Sequence, residues 1–488
     1  MIAHRVQAEL RPDPARVIAR LFLPGDDDLE HAGSRASQVV GRVMSVAEDE
    51  VERLAADLLR DFDGRHHHYQ ALLRRHASIV SAHVKEAREL TAARTLLLGA
   101  TFTAEYATEA AALCNPSAVL GPDQSGLRAG QARVALSLRG IGEGHVSSIG
   151  FCTAVVGPGA QWSFEPRLLP LSVADTTPAT WHREHLHAVL VDQGHLDELA
   201  EAVLLTLPAE FEGADLERAL GQAPRDLLTR AGSAATVDLL RKVVASAYNA
   251  SFARDADLGQ QILSPSAEEE SSGMEDARFT RFVDDDGTVE YHATYTAYDG
   301  RQIAPRLLSS SDLRVFRAHR LVGPAARNKG MALFPRKVHG QHLALCRSDG
   351  ESTSLASSAD GYVWDHPVTL QEPSASWEMM QVGNCGPPIE TDQGWLVLTH
   401  GVGPMRVYVI GALLLDLDDP SRVVGQSRTP LLSPAWDEQD GYVPHVVYSC
   451  GAFLHDGLVW IPYGIDDCRI GVAYAPLAEV LAELSSAS

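Results

Sequence analysis

Ser272-Gly273-Met274-Glu275-Asp276-Ala277-Arg278-Phe279, followed by Arg281-Phe282-Val283, Asp284-Asp285-Asp286-Gly287 and Tyr291-His292-Ala293-Thr294-Tyr295-Thr296-Ala297-Tyr298, is the stretch on which the reading turns. A small turn presents two adjacent carboxylates, Glu275 and Asp276, and then Arg278. The two runs that flank the acidic turn 284–287 are rich in aromatic and β-branched residues, so a β-hairpin is predicted with acids at its open end. A carboxylate fixed there has the rigidity that a general acid needs, and Arg278 is placed to orient it. The plainer reading is a solvated turn in which Asp276 and Arg278 pair for structure, since acid-rich turns are common. The rest of the chain has to decide between them.

The chain has 488 residues, enough for one large core or several smaller ones. Acids outnumber bases 64 to 41, a formal charge of −23. Such a surface argues against nucleic acid and anionic membrane as partners, yet leaves room for a local basic pocket. Cys114, Cys152, Cys346, Cys385, Cys450 and Cys468 are scattered without Cys-x-x-Cys spacing, so buried thiols in a reducing compartment are expected rather than a zinc site or a disulfide framework. Met1-Ile2-Ala3-His4-Arg5 leads into charged sequence with no apolar core, and no apolar run is long enough for a bilayer. The expected setting is cytoplasmic.

Four regions follow from pattern. Residues 1–95 read as an N-terminal helical region. Val39-Val40, Val43, Val51, Leu54, Leu58 and Phe62 recur at three- and four-residue steps, and a second helix is predicted from about His68 to Ala92. His66-His67-His68 cannot aim three neighbouring rings at one ion from a helix, so no metal is expected. Residues 96–177 turn to strands, among them Cys114–Val119, Val134–Arg139 and Ile149–Val155. Residues 178–250 return to helix, with periodic tracts at Leu196–Leu205 and Thr236–Tyr248, and read as an insertion. Residues 251–488 are strands again with turn signals every 8–15 residues, closed by a short helix at Leu477–Leu484. Recurrent short strands suit a β-propeller, whose radial sheets bring strand ends to a central funnel; a β-sandwich is the alternative.

Within this frame the motifs resemble glycoside hydrolase family 130, the β-mannoside phosphorylases and β-mannosidases. Gly273-Met274-Glu275-Asp276-Ala277-Arg278 is similar to the family's Gly-x-Glu-Asp-Pro-Arg turn, with Ala277 where Pro is usual. Asn328-Lys329-Gly330-Met331-Ala332-Leu333-Phe334-Pro335 resembles its Lys-Asn-x-x-Leu-Phe-Pro strand. Gly383-Asn384-Cys385-Gly386-Pro387-Pro388-Ile389, Gly394-Trp395-Leu396 and His400-Gly401-Val402 resemble its central block, and Tyr463-Gly464-Ile465-Asp466-Asp467 its late acidic turn. Asn115-Pro116 and Arg139 fit the first blade. The resemblance covers roughly 96–175 and 255–485.

It implies a mainly β fold, a five-bladed propeller carrying the helical region and the helical insertion, with an inverting site in its funnel. Asp276 would be the general acid, reaching the leaving oxygen through a hydroxyl of the bound mannose. Asn115, Arg139, Glu275, Arg278, Asn328, Lys329, Asn384 and Asp467 would hold sugar. An inverting hydrolase needs a second carboxylate, for which Glu378 and Glu390 are the candidates. A phosphorylase needs cations instead, and Arg306, Arg336, Arg347 and His400 are the candidates. Gln381 stands where the phosphorylases often carry a lysine. No cofactor or metal is implied, only inorganic phosphate as co-substrate.

Trp377, Trp395 and Tyr463 would stack on sugar or pack between blades, and Asp123-Gln124 and Gly144-His145 would line the rim. Three readings remain open: phosphorolysis of short β-mannosides to mannose 1-phosphate, which is favoured slightly; a hydrolytic β-mannosidase; and a sugar-binding propeller without catalysis. Partners are a small oligosaccharide and, through the helical segments, copies of the same chain in a homo-oligomer.

Overall fold

The computed structural model describes residues 2–24, 34–82 and 90–485. It divides into two compact units, one of Met1–Pro12, Ala111–Arg167 and Ala174–Ser488, the other of Asp13–Ala110 and Leu168–Val173. The chain is mainly β. No helix among the described residues is long and apolar enough to cross a membrane.

The larger unit carries antiparallel runs of strands in chain order. The first run is Ala112–Leu120, Ala132–Ile141, Ser147–Gly157 and Gln161–Phe164. The second is Gly273–Val283, Val289–Tyr298, Ile303–Ser310 and Val315–Arg320, joined to the first by one parallel pair, Gly273 with Ser147. The third is Ala332–Leu333, His342–Cys346, Thr353–Ser358 and Val368–Gln371. The fourth holds Gln381–Asn384, Gly394–Val402, Tyr408–Leu415 and Val423–Gln426. The fifth holds Val447–Tyr448, Leu458–Ile465 and Arg469–Pro476.

Alternating apolar residues on each run pack against the next. Phe151 of the first meets Phe279 and Phe316 of the second. Leu307 of the second lies with Leu333 and Ala344 of the third. Leu345 and Leu355 lie with Trp395 and Leu413 of the fourth. Leu398 and Ile410 lie with Ile461 and Ala473 of the fifth. Trp460 and Val472 of the fifth return to Leu136 and Cys152 of the first. The order of packing is therefore cyclic. Facing sheets sealed this way give each strand a side-chain partner on both faces, which explains why strands such as Gly394–Val402 are apolar throughout rather than alternating.

The predicted hairpin at 281–298 is present and longer than expected, with its turn closed by the Asp284 and Thr288 backbones. Five of the six cysteines are buried thiols. Helices Arg183–Asp192, Glu198–Thr206, Gly213–Gln222 and Ser233–Ser246 enclose their own core around Trp181, Leu190, Val203 and Leu240.

The N-terminal stretch departs from a purely helical region. His4–Leu10 is a strand, antiparallel to Arg469–Pro476 from His4 opposite Tyr474 to Leu10 opposite Ile470. Its two-residue period puts Val6, Ala8 and Leu10 on the apolar cluster, a signal shorter than the helical pattern that follows. In the smaller unit Val17–Leu21 pairs with Thr103–Ala107, beside helices Arg35–Ser45, Glu48–Phe62, Tyr69–Ala82 and Ala92–Thr101. The helix predicted from His68 to Ala92 is observed to Ala82, and its continuation over 83–89 lies outside the described residues.

Candidate active site

One backbone device is used twice. Between Ala112–Leu120 and Ala132–Ile141 the pairing slips between Cys114 and Ser117, so Asn115 and Pro116 stand opposite one residue, Leu138. Between Gly273–Val283 and Val289–Tyr298 it slips between Glu275 and Arg278, so Asp276 and Ala277 stand opposite Tyr295. Each is a β-bulge, which re-aims a side chain. The first bulge residue is left-handed in both, with φ 50° at Asn115 and 55° at Asp276. Asn and Asp enter that region more easily than other L residues. The two side chains meet: Asn115 Nδ2 donates to Asp276 Oδ1 at 2.6 Å. The carboxylates therefore sit inside a strand, on a bulge, and not on a turn before it as expected.

Cations fix this pair. Arg139 donates to Asp276 Oδ1 at 3.1 Å, to Glu275 Oε1 at 2.7 Å and to Ser147 Oγ at 2.9 Å. Lys329 Nζ donates to Glu275 Oε2 at 2.5 Å. Its turn is shaped by Asn328, which is left-handed at φ 61° and accepts from the Lys329 amide. Arg278 works on the backbone. It donates to the carbonyl oxygens of Asp276 at 2.7 Å and Cys385 at 2.9 Å, and to Tyr448 Oη at 2.9 Å.

Burial alone would push the Asp276 carboxyl up. Arg139 first, then Arg278, Asn115 and Lys329, reverse this and hold it at about 2. Both side-chain bonds land on Oδ1, and Oδ2 has no hydrogen bond among the described residues. Asp467 goes the other way. It sits on a tight turn with Asp466, both left-handed at φ 48° and 52°. Burial and the charge of Asp276 push it up to about 6, against Arg139 and Arg406. Both are mainly ionised at neutral pH, Asp467 being the nearer of the two to taking a proton.

Beside the carboxylates lies a cationic pocket. Arg347 Nη1 donates to His400 Nε2 at 2.9 Å, so this ring nitrogen is an acceptor and the imidazole is neutral. Burial, with Arg347 and Arg278 adding to it, holds His400 well below the usual histidine range. Its ring stands edge-on to Tyr448 at 4.9 Å, the same Tyr448 that takes Arg278. Gly383 lies against both, since a side chain there would meet His400 at 2.7 Å and Arg347 at 3.0 Å. Arg347 Nε is buried without a hydrogen-bond partner among the described residues. Asn384 supports the floor, donating to the Gly330 carbonyl at 2.8 Å.

The structure thus brings together Asp276, Glu275, Asn115, Arg139, Arg278, Lys329 and Asp467, with Arg347 and His400 alongside and Asn328 and Asn384 beneath. Four expected residues lie elsewhere. Arg306 is 0% exposed and is held by Glu270 at 3.3 Å inside a cluster with Tyr248 and Tyr295, so phosphate cannot reach it. Arg336 is paired with Glu390 and lies over the Trp395 ring. Its neighbour Pro335 bonds Val283, seven residues along the strand from Asp276 and so roughly 20 Å away. Glu390 goes with it. Glu378 is 0% exposed and accepts from Gln371, Ser374 and Ala375, so it braces its own loop and has no water to activate.

Trp395 and Tyr463 are packing residues, bonded to Leu417 and Glu438. Trp377 packs on Gly401 and Gly411. Asp123-Gln124 lies beyond the far end of Ala112–Leu120 from Asn115, bonded to Arg133. Sequence reasoning missed Ser147 and Tyr448. Neither has a spacing signal; each is defined by the arginine it receives.

A sequence profile described as beta-1,4-mannooligosaccharide phosphorylase matches residues 248–485. The chain is 35% identical over 228 residues to the 1,2-beta-oligomannan phosphorylase of Thermoanaerobacter sp. strain X514, covering 46% of this chain and 75% of that one. It is 36% identical over 209 residues to the beta-1,2-mannobiose phosphorylase of the same organism, covering 42% and 67%. Among solved structures, the beta-1,2-mannobiose phosphorylase of Listeria innocua in complex with beta-1,2-mannobiose aligns at 22% identity and a TM-score of 0.45, covering 77% of this chain and 92% of that one. The protein is a carbohydrate-active enzyme. It belongs to glycoside hydrolase family 130.

Proposed function

We propose that this enzyme is an inverting phosphorylase of short β-mannosides that releases mannose 1-phosphate. The observation that carries the reading is the placing of a carboxylate cluster at Asp276 beside the Arg347 guanidinium, which is held by a neutral His400. A phosphate oxygen attacks the anomeric carbon as the bond from that carbon to the aglycone oxygen breaks, and that oxygen takes a proton. Asp276, with Oδ2 uncommitted, is the acid that supplies the proton, through a hydroxyl of the bound mannose. In the free site Arg139 holds it ionised, so it must take up a proton before it can give one. A hydrogen phosphate dianion arriving on Arg347 adds negative charge nearby and raises its proton affinity, so Asp276 takes that proton from solvent before the glycosidic bond breaks, and the sugar phosphate ester returns one to solvent as it loses its remaining P–OH proton. Asn115, Arg139, Lys329 and Asp467 hold the sugar, and Glu275 positions Arg139 and Lys329.

Phosphate is favoured over water because the two glutamates that would activate water, Glu378 and Glu390, are committed elsewhere, while Arg347 has a spare donor. A neutral His400 accepting from Arg347 keeps that guanidinium oriented at no cost in repulsion. In a chain of net charge −23, a cationic pocket is also where an anionic co-substrate collects.

The cyclic order of the five sheets supports a five-bladed propeller, in which His4–Leu10 joins the fifth sheet and 178–250 is an insertion. No metal is called on, and a cytoplasmic setting would supply the phosphate. The helical segments offer surface for a homo-oligomer.

Product analysis on β-1,2- and β-1,4-linked mannobiose, with and without phosphate, tests the reading. Mannose 1-phosphate formed only with phosphate is the expected result. Free mannose in both conditions would replace the phosphorylase with a hydrolase.

A further inference from the structure

The segment from Ser433 to Val446 crosses the edge of the site as a strap. Arg5 holds its start through the Ser433 carbonyl and Glu438. Gly441 then lies directly on the acidic turn, where an added Cβ would meet Asp466 Cβ at 2.4 Å. The Val443 amide donates to the Asp466 carbonyl at 2.8 Å, and the Tyr408 amide to the His445 carbonyl at 3.0 Å. Tyr442, between these anchors, reaches the first sheet: its Oη lies 3.0 Å from His145 Nδ1, with ring centroids 6.1 Å apart.

The strap is fastened between two turns of one design. In Gly142–Val146, the Gly142 amide donates to the Val146 carbonyl and His145 donates back to Gly142, with His145 left-handed at φ 61°. In Gly403–Val407, the Gly403 amide donates to Val407 and Arg406 donates back to Gly403, with Arg406 at φ 59°. Arg139 and the neutral His400 stand the same three residues before each turn. His145 and Arg406 occupy the same position in the two turns. Arg406 lies near the Tyr408 ring and acts on Asp467.

Tyr442 is 48% exposed although it is pinned at both ends of its segment. A fixed aromatic face, half open to solvent and one residue from the contact with the Asp466–Asp467 turn, has the chemistry that receives a pyranose. The apolar C–H face of a sugar lies on the ring, and its hydroxyls meet the imidazole edge. The sugar at the carboxylates is held by polar groups, so this ring is placed for the neighbouring unit. We infer that Tyr442, oriented by His145, binds the acceptor sugar that leaves in phosphorolysis and attacks in the reverse reaction, and so sets aglycone specificity. The inference rests on the β-mannoside phosphorylase reading above.

The reverse reaction separates the two. Mannose 1-phosphate and mannose are supplied as donor and acceptor, and initial rates are taken for wild type, Tyr442→Ala and Tyr442→Phe. The expected result is an acceptor KM raised at least tenfold in Tyr442→Ala, with the KM of mannose 1-phosphate changed less than twofold, and a smaller rise in Tyr442→Phe, which keeps the ring. An unchanged acceptor KM, or equal changes in both KM values, overturns the inference while leaving the phosphorylase standing. A wild type with no turnover overturns the phosphorylase reading instead. Calorimetric binding of β-1,2-mannobiose then decides, since the wall survives only if Tyr442→Ala weakens that binding at least tenfold.

Discussion

In the first sheet Arg139 lies opposite Cys114, and in the fourth His400 lies opposite Gly383. The next steps match: Gly140-Ile141-Gly142 with His145-Val146, and Gly401-Val402-Gly403 with Arg406-Val407. One residue on from Cys114 and Gly383 stand Asn115 and Asn384. The turns match, although only Asn115 lies on a bulge, and the electrostatics are opposite. Arg139 is surrounded by Asp276, Glu275 and Asp467, which outweigh its burial and keep it charged. His400 is kept neutral by burial, with Arg347 and Arg278 adding to it. A repeated scaffold thus supplies position, and the neighbouring charges decide which place gathers carboxylates and which gathers arginines.

The largest effect should come from breaking the anionic half. Asp276→Asn keeps a side chain that tolerates φ 55° but removes the group that carries the proton, so turnover of a mannobiose should fall about 10²–10⁴-fold, with the fold retained at a lower melting temperature because Arg139, Arg278 and Lys329 lose the charge they face. Near-wild-type turnover would remove Asp276 as the acid. Arg347→Ala breaks the cationic half. The KM for phosphate should rise roughly a hundredfold, as for a lost charge-assisted contact, with a much smaller change in the KM for the mannoside. Equal rises in both would merge the two halves into one binding site.

Gly401→Ala tests the scaffold itself. The new methyl would meet the Trp377 ring at 2.4 Å, and the overpacking should cost about 1–3 kcal/mol in urea unfolding. The smallest effect is a pH slope. Asp467 has a folded-state value of about 6, above its unfolded value, so its protonated form is favoured by folding. Its contribution is full below about pH 4 and is lost as pH rises through about 6. Asp467→Asn should flatten this by on the order of 1–2 kcal/mol, discounted for partial solvent access. Asp276 has the opposite sign, its contribution being present above about pH 4 and lost as pH falls through about 2.

Much of the sheet order was readable because strands sealed on two faces leave long apolar runs such as Gly394–Val402, and the hairpin at 281–298 announced itself through its acidic turn. The bulges were not readable. Asn115-Pro116 looks like the start of a strand and Asp276-Ala277 like a turn, because only the partner strand reveals that two residues face one. Charges were the other blind spot. Arg306 and Arg347 both follow apolar strand residues, and nothing local separates the fully buried arginine paired with Glu270 from the one that meets a neutral His400. Glu378 did carry a signal, since it stands three residues after Ala375 at the start of a short helical turn, where a carboxylate braces loop amides. Motif resemblance named Asp276 correctly as a member of the cluster, but it could not separate Lys329, inside the cluster, from Arg336, roughly 20 Å off along the sheet.

The pairing of His4–Leu10 with Arg469–Pro476 has a consequence for how the protein is made. His4–Leu10 is made well before its partner Arg469–Pro476, so it must wait with an unpaired edge while the sheets between them are synthesised. Closing the fifth sheet is then a late event between segments far apart in the sequence, one that slow synthesis would delay and that a stray edge from another nascent chain would intercept.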